Sequence, residues 1–150
     1  MKSIIKLSSV FYALVLFYIF FLARRRPHPT FFLHKASVNY IPLRAIWNNF
    51  IHYNTLSAFL QWNFVTNFFG NIALFLPLPF FLRFIFHIKE PKTIIGITII
   101  ISSCVEITQF ILSIGTADID DIILNTTGSF FGIICLWLLR KHSPRLTIDD

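Results

Sequence analysis

Four carboxylates fall within the stretch VEITQFILSIGTADIDDIILNTTG, residues 105–128, which is otherwise strongly apolar. Glu106 follows a run of isoleucines, and Asp118, Asp120 and Asp121 open a second apolar run. Carboxylates in such a setting can act as a general acid or base, hold a hard cation through oxygen, or accept hydrogen bonds that orient other groups. The cation reading is the weakest. Consecutive aspartates on a helix diverge, and the five histidines (His28, His34, His52, His87, His142) have no ligand spacing, so no metal site and no cofactor are expected. The chain also lacks HExxH, GxSxG, P-loop and dinucleotide-binding patterns.

The remaining chain says where these acids must sit. Of 150 residues, 55% are hydrophobic and only 13% are charged, whereas a soluble domain carries roughly 25% charged residues. This composition predicts an integral membrane protein, with the lipid bilayer as its first partner. The net charge of +6 raises the question of a nucleic-acid partner. The basic residues, however, stand at the ends of apolar segments and form no aromatic-interleaved patch, so no nucleic-acid partner is expected. Cys104 and Cys135 both lie in apolar runs and read as packing residues.

A helix needs about 20 mostly apolar residues to cross the hydrocarbon core. The expected spans are residues 7–23, 64–86, 93–114 and 119–139. The first ends on Arg24, Arg25 and Arg26 with no small-residue cleavage site, so it reads as an uncleaved span. The fold class is therefore an all-α integral membrane protein: one domain over 1–150, a bundle of about four transmembrane helices with a long loop between spans one and two. Within that loop, Ala45 to Trp62 is amphipathic and predicts an interfacial helix with Trp47 and Trp62 at headgroup level. Lys2, Lys6, Arg83, Lys89, Lys92, Arg140, Lys141 and Arg145 fall on the side of the termini, against Arg24, Arg25, Arg26, Lys35 and Arg44 opposite. That bias favours cytoplasmic termini in the cell membrane and puts the aspartates outside.

Helical geometry gathers the polar residues. At about 100° per residue, Thr98, Ser102, Glu106, Gln109 and Ser113 share one arc of roughly 80° on span three. Asp118, Asp121, Asn125, Gly128 and Gly132 share a similar arc of about 80° on span four, with Asp120 off that face. Asn63, Asn67, Gly70 and Asn71 cluster on one face of span two, which Pro77 and Pro79 interrupt. Polar groups on membrane helices turn toward a bundle interior or a wet cavity, so the three stripes are expected to face one another. A carboxylate at mid-span costs roughly 2.5 to 3.5 kcal/mol, and each Ile, Leu, Phe or Val returns about 0.3 to 0.6. The dozen such residues of span three offset one Glu. Asp118 and Asp121 also fit a helix N-cap with a first-turn acid, while Gly128-x-x-x-Gly132 fits close helix packing.

In order, Glu106-x-x-Gln109, Asp118-x-Asp120-Asp121 and Asn125-x-x-Gly128-x-x-x-Gly132 resemble the signature of the VanZ-like membrane-protein family. Asn71, Phe75 and Pro77 in GNIALFLPLP resemble its Asn-x-x-x-Phe-x-Pro segment, and Asn39 and Pro42 its extracellular Asn-x-x-Pro stretch. Two positions depart: Pro79 stands where many members have Gly, and Gly115 where many have Arg. The resemblance implies a small bacterial multi-pass protein linked to low-level resistance to teicoplanin-type glycopeptide antibiotics. Its partners would be the glycopeptide or a cell-wall lipid precursor. The expected site is an outward-facing polar pocket lined by Glu106, Gln109, Asp118, Asp121, Asn125 and Asn71, with Pro77, Gly128 and Gly132 structural. A non-enzymatic role is the leading expectation. The alternatives are an intramembrane enzyme acting on a lipid-linked envelope substrate, with Glu106 or Asp121 as acid/base, and a small proton-coupled carrier.

Orientation has a direct test. In a background lacking Cys104 and Cys135, a cysteine introduced as Thr116→Cys should react with an impermeant maleimide on intact cells. Labelling that needs permeabilised cells reverses the topology.

Overall fold

The computed structural model describes residues 2–23, 38–112 and 117–142. The Arg24–Arg26 triplet, Lys35, Ser113, Gly115, Thr116 and Arg145, all invoked above, lie outside the described residues, as does the expected end of span three. The chain is predominantly helical. Helix α1 (Lys2–Phe17) runs on as a π-helical segment (Tyr18–Ala23). A short strand β1 (Val38–Asn39) precedes α2 (Arg44–Ile51) and a 3₁₀ turn (Tyr53–Thr55). Then come α3 (Ala58–Phe75), α4 (Leu78–Phe86), α5 (Pro91–Ile111), strand β2 (Ala117–Asp118) and α6 (Ile119–His142).

Among the described residues, three helical stretches are long and apolar enough to cross a membrane: Ala58–Phe86, Pro91–Ile111 and Ile119–His142. Leu7–Leu22 is a shorter apolar helix. The first long stretch contains α3 and α4, which break at Leu76 and Pro77. Proline has no N–H for the helical ladder and its ring crowds the preceding turn, so an interruption falls there. The local sequence also explains both helix starts. Extended Ser57 caps α3, its hydroxyl accepting from the Leu60 N–H, and Pro91 opens α5 where its missing N–H has no helical role.

The amphipathic stretch expected as one helix from Ala45 to Trp62 is instead divided. Helix α2 stops at Ile51, the 3₁₀ turn follows, and Ala58 to Trp62 already belong to α3, which thus begins before the Phe64 expected. Ser57 sets the start of the second helix, its extended backbone and side-chain cap separating α3 from the 3₁₀ turn that follows α2.

The interior inverts the pattern of a soluble protein. Buried positions include Asn71, Thr98, Ser102, Glu106, Gln109, Asp120, Asp121, Asn125 and Ser129. Large apolar side chains face outward, among them Leu7 and Phe11 on α1, Ile100 and Ile107 on α5, and Trp137 on α6. Such wide apolar exposure is intolerable in water and ordinary against lipid. A smaller apolar core of Phe20, Phe75, Leu78, Leu82, Ile94 and Val105 joins α1, the α3–α4 break and α5. The rings of Phe20 and Phe75 lie 6.0 Å apart. Tyr12 stacks on Phe81 at 4.9 Å and donates its hydroxyl to the Leu74 carbonyl at 2.6 Å.

Helix α6 is the central element, packing against α3, α4 and α5. Its two glycines make this possible. A Cβ built at Gly128 would overlap the Ile72 carbonyl, and one at Gly132 would overlap the Leu76 carbonyl oxygen and press on Pro79 at 3.0 Å. Gly70 and Gly96 have open space at the same position. Gly128→Ala should therefore cost about 1 to 3 kcal/mol through overpacking. In detergent, its unfolding temperature should fall by several degrees, while Gly96→Ala should hold or raise it. Equal behaviour of the two variants would refute close packing at Gly128.

Candidate functional site

The polar residues form a column through the interface of α3, α5 and α6, widest at the end where α6 begins. Deepest lie two hydroxyl and amide pairs. Asn125 donates its amide to the Ser102 hydroxyl at 2.8 Å, and Thr98 and Ser129 share a hydroxyl contact of 2.8 Å. All four side chains are buried. Each pair gives a polar group in hydrocarbon a partner from the facing helix, which offsets part of its desolvation cost, while Asn125 Oδ1 is buried with no hydrogen-bond partner among the described residues.

One turn closer to the end stand the acids. Asp121 Oδ1 accepts from Asn67 at 2.8 Å and from Asn71 at 2.7 Å, both donors coming from α3. Hydrogen bonds to a charged acceptor contribute about 1.5 to 3 kcal/mol each, so this pair is a major tie between α3 and α6. Glu106 Oε2 accepts from the backbone N–H of Asp118 at 3.0 Å, joining α5 to the start of α6. Gln109 donates to the Phe20 carbonyl at 3.0 Å, within the π-helical end of α1. A π-turn leaves backbone carbonyls off the regular i to i−4 ladder, and the buried Gln109 amide reaches one of them.

The outermost layer is built from the segment that follows α1. β1 pairs in parallel with β2, Val38 opposite Ala117 and Asn39 opposite Asp118. Asp118 Oδ1 accepts from the Asn39 amide at 2.8 Å and from the Asp120 N–H at 2.9 Å, the second bond being an N-cap for α6. Asp120 carries a role that the helical wheel missed. Its carboxylate accepts from the backbone N–H groups of Leu43, Ala45 (3.1 Å) and Ile46 (3.2 Å), and only 2% of the residue is exposed. It is the N-terminal cap of α2, supplied from another helix, and a carboxylate there also suits the helix dipole.

The expected lining residues Asn71, Glu106, Gln109, Asp121 and Asn125 are all buried, and Asp118 is half-buried. The column also contains Asn39, Asn67, Asp120 and Ser129. The sequence did hold a signal for Asp120. Helix α2 begins after Leu43, which stands in the left-handed region (φ 63°) and offers no side-chain cap. A helix start with no Ser, Thr, Asp or Asn needs an acceptor from elsewhere. Ser129 lies one turn beyond Asn125 on nearly the same face, so a slightly wider arc includes it.

Burial is the main influence on Asp118, which stands just ahead of the apolar helix, and pushes its pKa above the ordinary carboxylate value. The N-cap bond from Asp120 and the Asn39 amide pull the other way, and the charges of Asp121 and Asp120 add to the rise. Because the folded pKa exceeds the unfolded one, folding takes up protons between the two. The stability gained is full below the unfolded value of 3.8 and fades as pH rises through the folded value.

Two predictions arise here. Asp118→Asn keeps a competent cap but removes the charge, so it should raise the unfolding temperature at neutral pH and flatten its dependence on pH in the acid range. An unchanged slope would assign that dependence to another group. Asp120→Ala should cost about 1 to 2 kcal/mol and speed amide hydrogen exchange at Ala45 and Ile46 without affecting mid-α5. Unaltered exchange at those amides would rule out the cross-helix cap.

Comparison with known proteins finds relatives of this sequence. The model of the VanZ/LLP1 family matches residues 9–140. Over 83 residues the chain is 36% identical to Protein VanZ of Enterococcus faecium, an alignment covering 53% of this chain and 49% of that protein. The match therefore spans about half the length of that relative. No solved structure matches.

Proposed function

The chain belongs to the VanZ/LLP1 family, and from that premise we propose that it is a cell-membrane protein that lowers susceptibility to teicoplanin-type glycopeptides. In this reading α1 is a fourth span, the termini are cytoplasmic and the acidic end of the bundle faces outward. The observation that carries the proposal is the way this end is assembled. Asp118 and Asp120 fasten β1 and α2 across the start of α6, and α2 then presents Trp47, Phe50 and Ile51 to its surroundings. A short amphipathic helix with exposed aromatics, held at the mouth of a membrane bundle, suits the interface between headgroups and acyl chains.

A lipophilic glycopeptide, or the lipid-linked wall precursor that such a drug targets, meets the cell at that level. The acids would then work in two ways. Asp118 and Asp120 keep the interfacial segment in place, while Glu106, Gln109, Asp121, Asn71 and Asn125 hold the three helices in register beneath it. The chemistry is positioning of a polar and aromatic surface, with no group required to break a bond.

Expression in a susceptible Gram-positive host should raise the teicoplanin inhibitory concentration severalfold. Glu106→Gln and Asp121→Asn should abolish the rise, and Trp47→Ala with Phe50→Ala should weaken it while membrane levels stay normal. No rise from well-expressed wild-type protein would sink the resistance reading.

A further inference from the structure

Residues 38–51, which contain β1 and α2, lie across the end of the bundle where the acids are gathered. No residue of α2 is buried. The helix rests on both α3 and α6, the two helices that Asp121 joins through Asn67 and Asn71. The acids at this end are shut away all the same: Glu106 is 3% exposed and Asp121 5%.

Among the described residues, the hydrogen bonds that tie this segment to the bundle end on β2 and the first turn of α6. β1 pairs with β2 through two residues, Asn39 donates to Asp118, and the N–H groups of Leu43, Ala45 and Ile46 converge on Asp120. A two-residue ladder and an eight-residue helix are each marginal without outside support. The Asp120 carboxylate is therefore the principal fastening. Leu43 shows how much depends on it. Its φ of 63° is unfavourable for an L side chain, and that side chain is 53% exposed, so packing does not offset the cost. What the conformation achieves is to aim three N–H groups at one carboxylate. When that contact breaks, the strain is released with it, which favours a segment with two positions.

We infer that residues 38–51 are a lid, latched by Asp120, whose lifting opens Asp121 and Glu106 to molecules at the membrane surface. The far end of the segment suits a hinge. Gln61 of α3 donates to the Tyr53 carbonyl at 2.8 Å, so the 3₁₀ turn stays with α3. The pivot then falls at His52, between the last residue of α2 and that turn. The inference goes beyond the proposed resistance function and does not depend on it.

The test labels carboxyl groups of the full-length protein in lipid nanodiscs, using a water-soluble carbodiimide with glycine ethyl ester and reading the sites by mass spectrometry. Cys104 and Cys135 are replaced throughout, and exposed Glu90 serves as the internal standard. Asp121 and Glu106 should label far more slowly than Glu90, and about tenfold faster in Asp120→Ala than in its parent, the factor expected from losing a helix cap. Tyr12→Phe removes a hydrogen bond between α1 and the Leu74 carbonyl, which is no part of the lid, and should leave both rates unchanged. Val38 and Ala117 are paired neighbours across β1 and β2, so a Val38→Cys/Ala117→Cys disulfide should pin the lid. Oxidation of that pair should slow labelling of Asp121 and Glu106 severalfold, and reduction should restore it, with Glu90 constant. Three results would overturn the lid: labelling that the disulfide does not slow, acceleration in Asp120→Ala no greater than in Tyr12→Phe, or parent labelling of Asp121 as fast as that of Glu90.

Discussion

A polar group placed in hydrocarbon has no water to fall back on, so its hydrogen bonds must come from the protein itself. The first turn of α6 and the helix after it depend on that constraint. Asp120, Asp121, Asn125 and Ser129 are each buried, and each meets a partner from another segment: the amides of α2, the Asn pair of α3, Ser102 and Thr98. No other element of the described chain draws so many segments together. Removing one partner would leave its mate buried in a setting where nothing replaces it, which makes the column cooperative.

Packing and polarity reinforce each other along α6. The glycines at 128 and 132 bring its backbone against the end of α3 and the α3–α4 break. That close approach holds α3 and α6 near enough for Asn67 and Asn71 to reach Asp121 higher up. Pro77 ends α3 at the level where the second glycine needs room, so α4 leaves with its own direction and buries Leu78 and Leu82. The apolar core around Phe20 and Phe75 then seals α1 against this frame.

The result is a bundle with two unlike ends. One gathers four carboxylates, each accepting from at least one amide N–H, and carries the exposed aromatic helix α2. The other gathers Arg83, Lys89 and Arg140 around an apolar cleft. The separation follows from helix direction. α6 begins with acids and ends with bases, which suits its dipole, and antiparallel neighbours bring their own charged ends to the matching level.

The membrane character, the apolar stretches, the three facing stripes and the family signature were all readable in the chain itself. They depend on composition and on the 3.6-residue period, both local properties of sequence. The stripes carried Glu106, Gln109, Asp121, Asn125 and Asn71 into one group before any fold was known. What tertiary structure decided was pairing: that the α3 amides meet Asp121, that Glu106 meets the Asp118 N–H, and that Asp120 serves a helix some 75 residues away in sequence. It also divided the amphipathic stretch at Ser57, a capping choice too short in range for periodicity to register. The wheel ranks residues by direction about their own axis, and Asp120 points away from the stripe shared by its neighbours. Its partner lies beyond the end of the bundle, where direction about the α6 axis no longer tells inside from outside, and only the folded chain brings the start of α2 to that place.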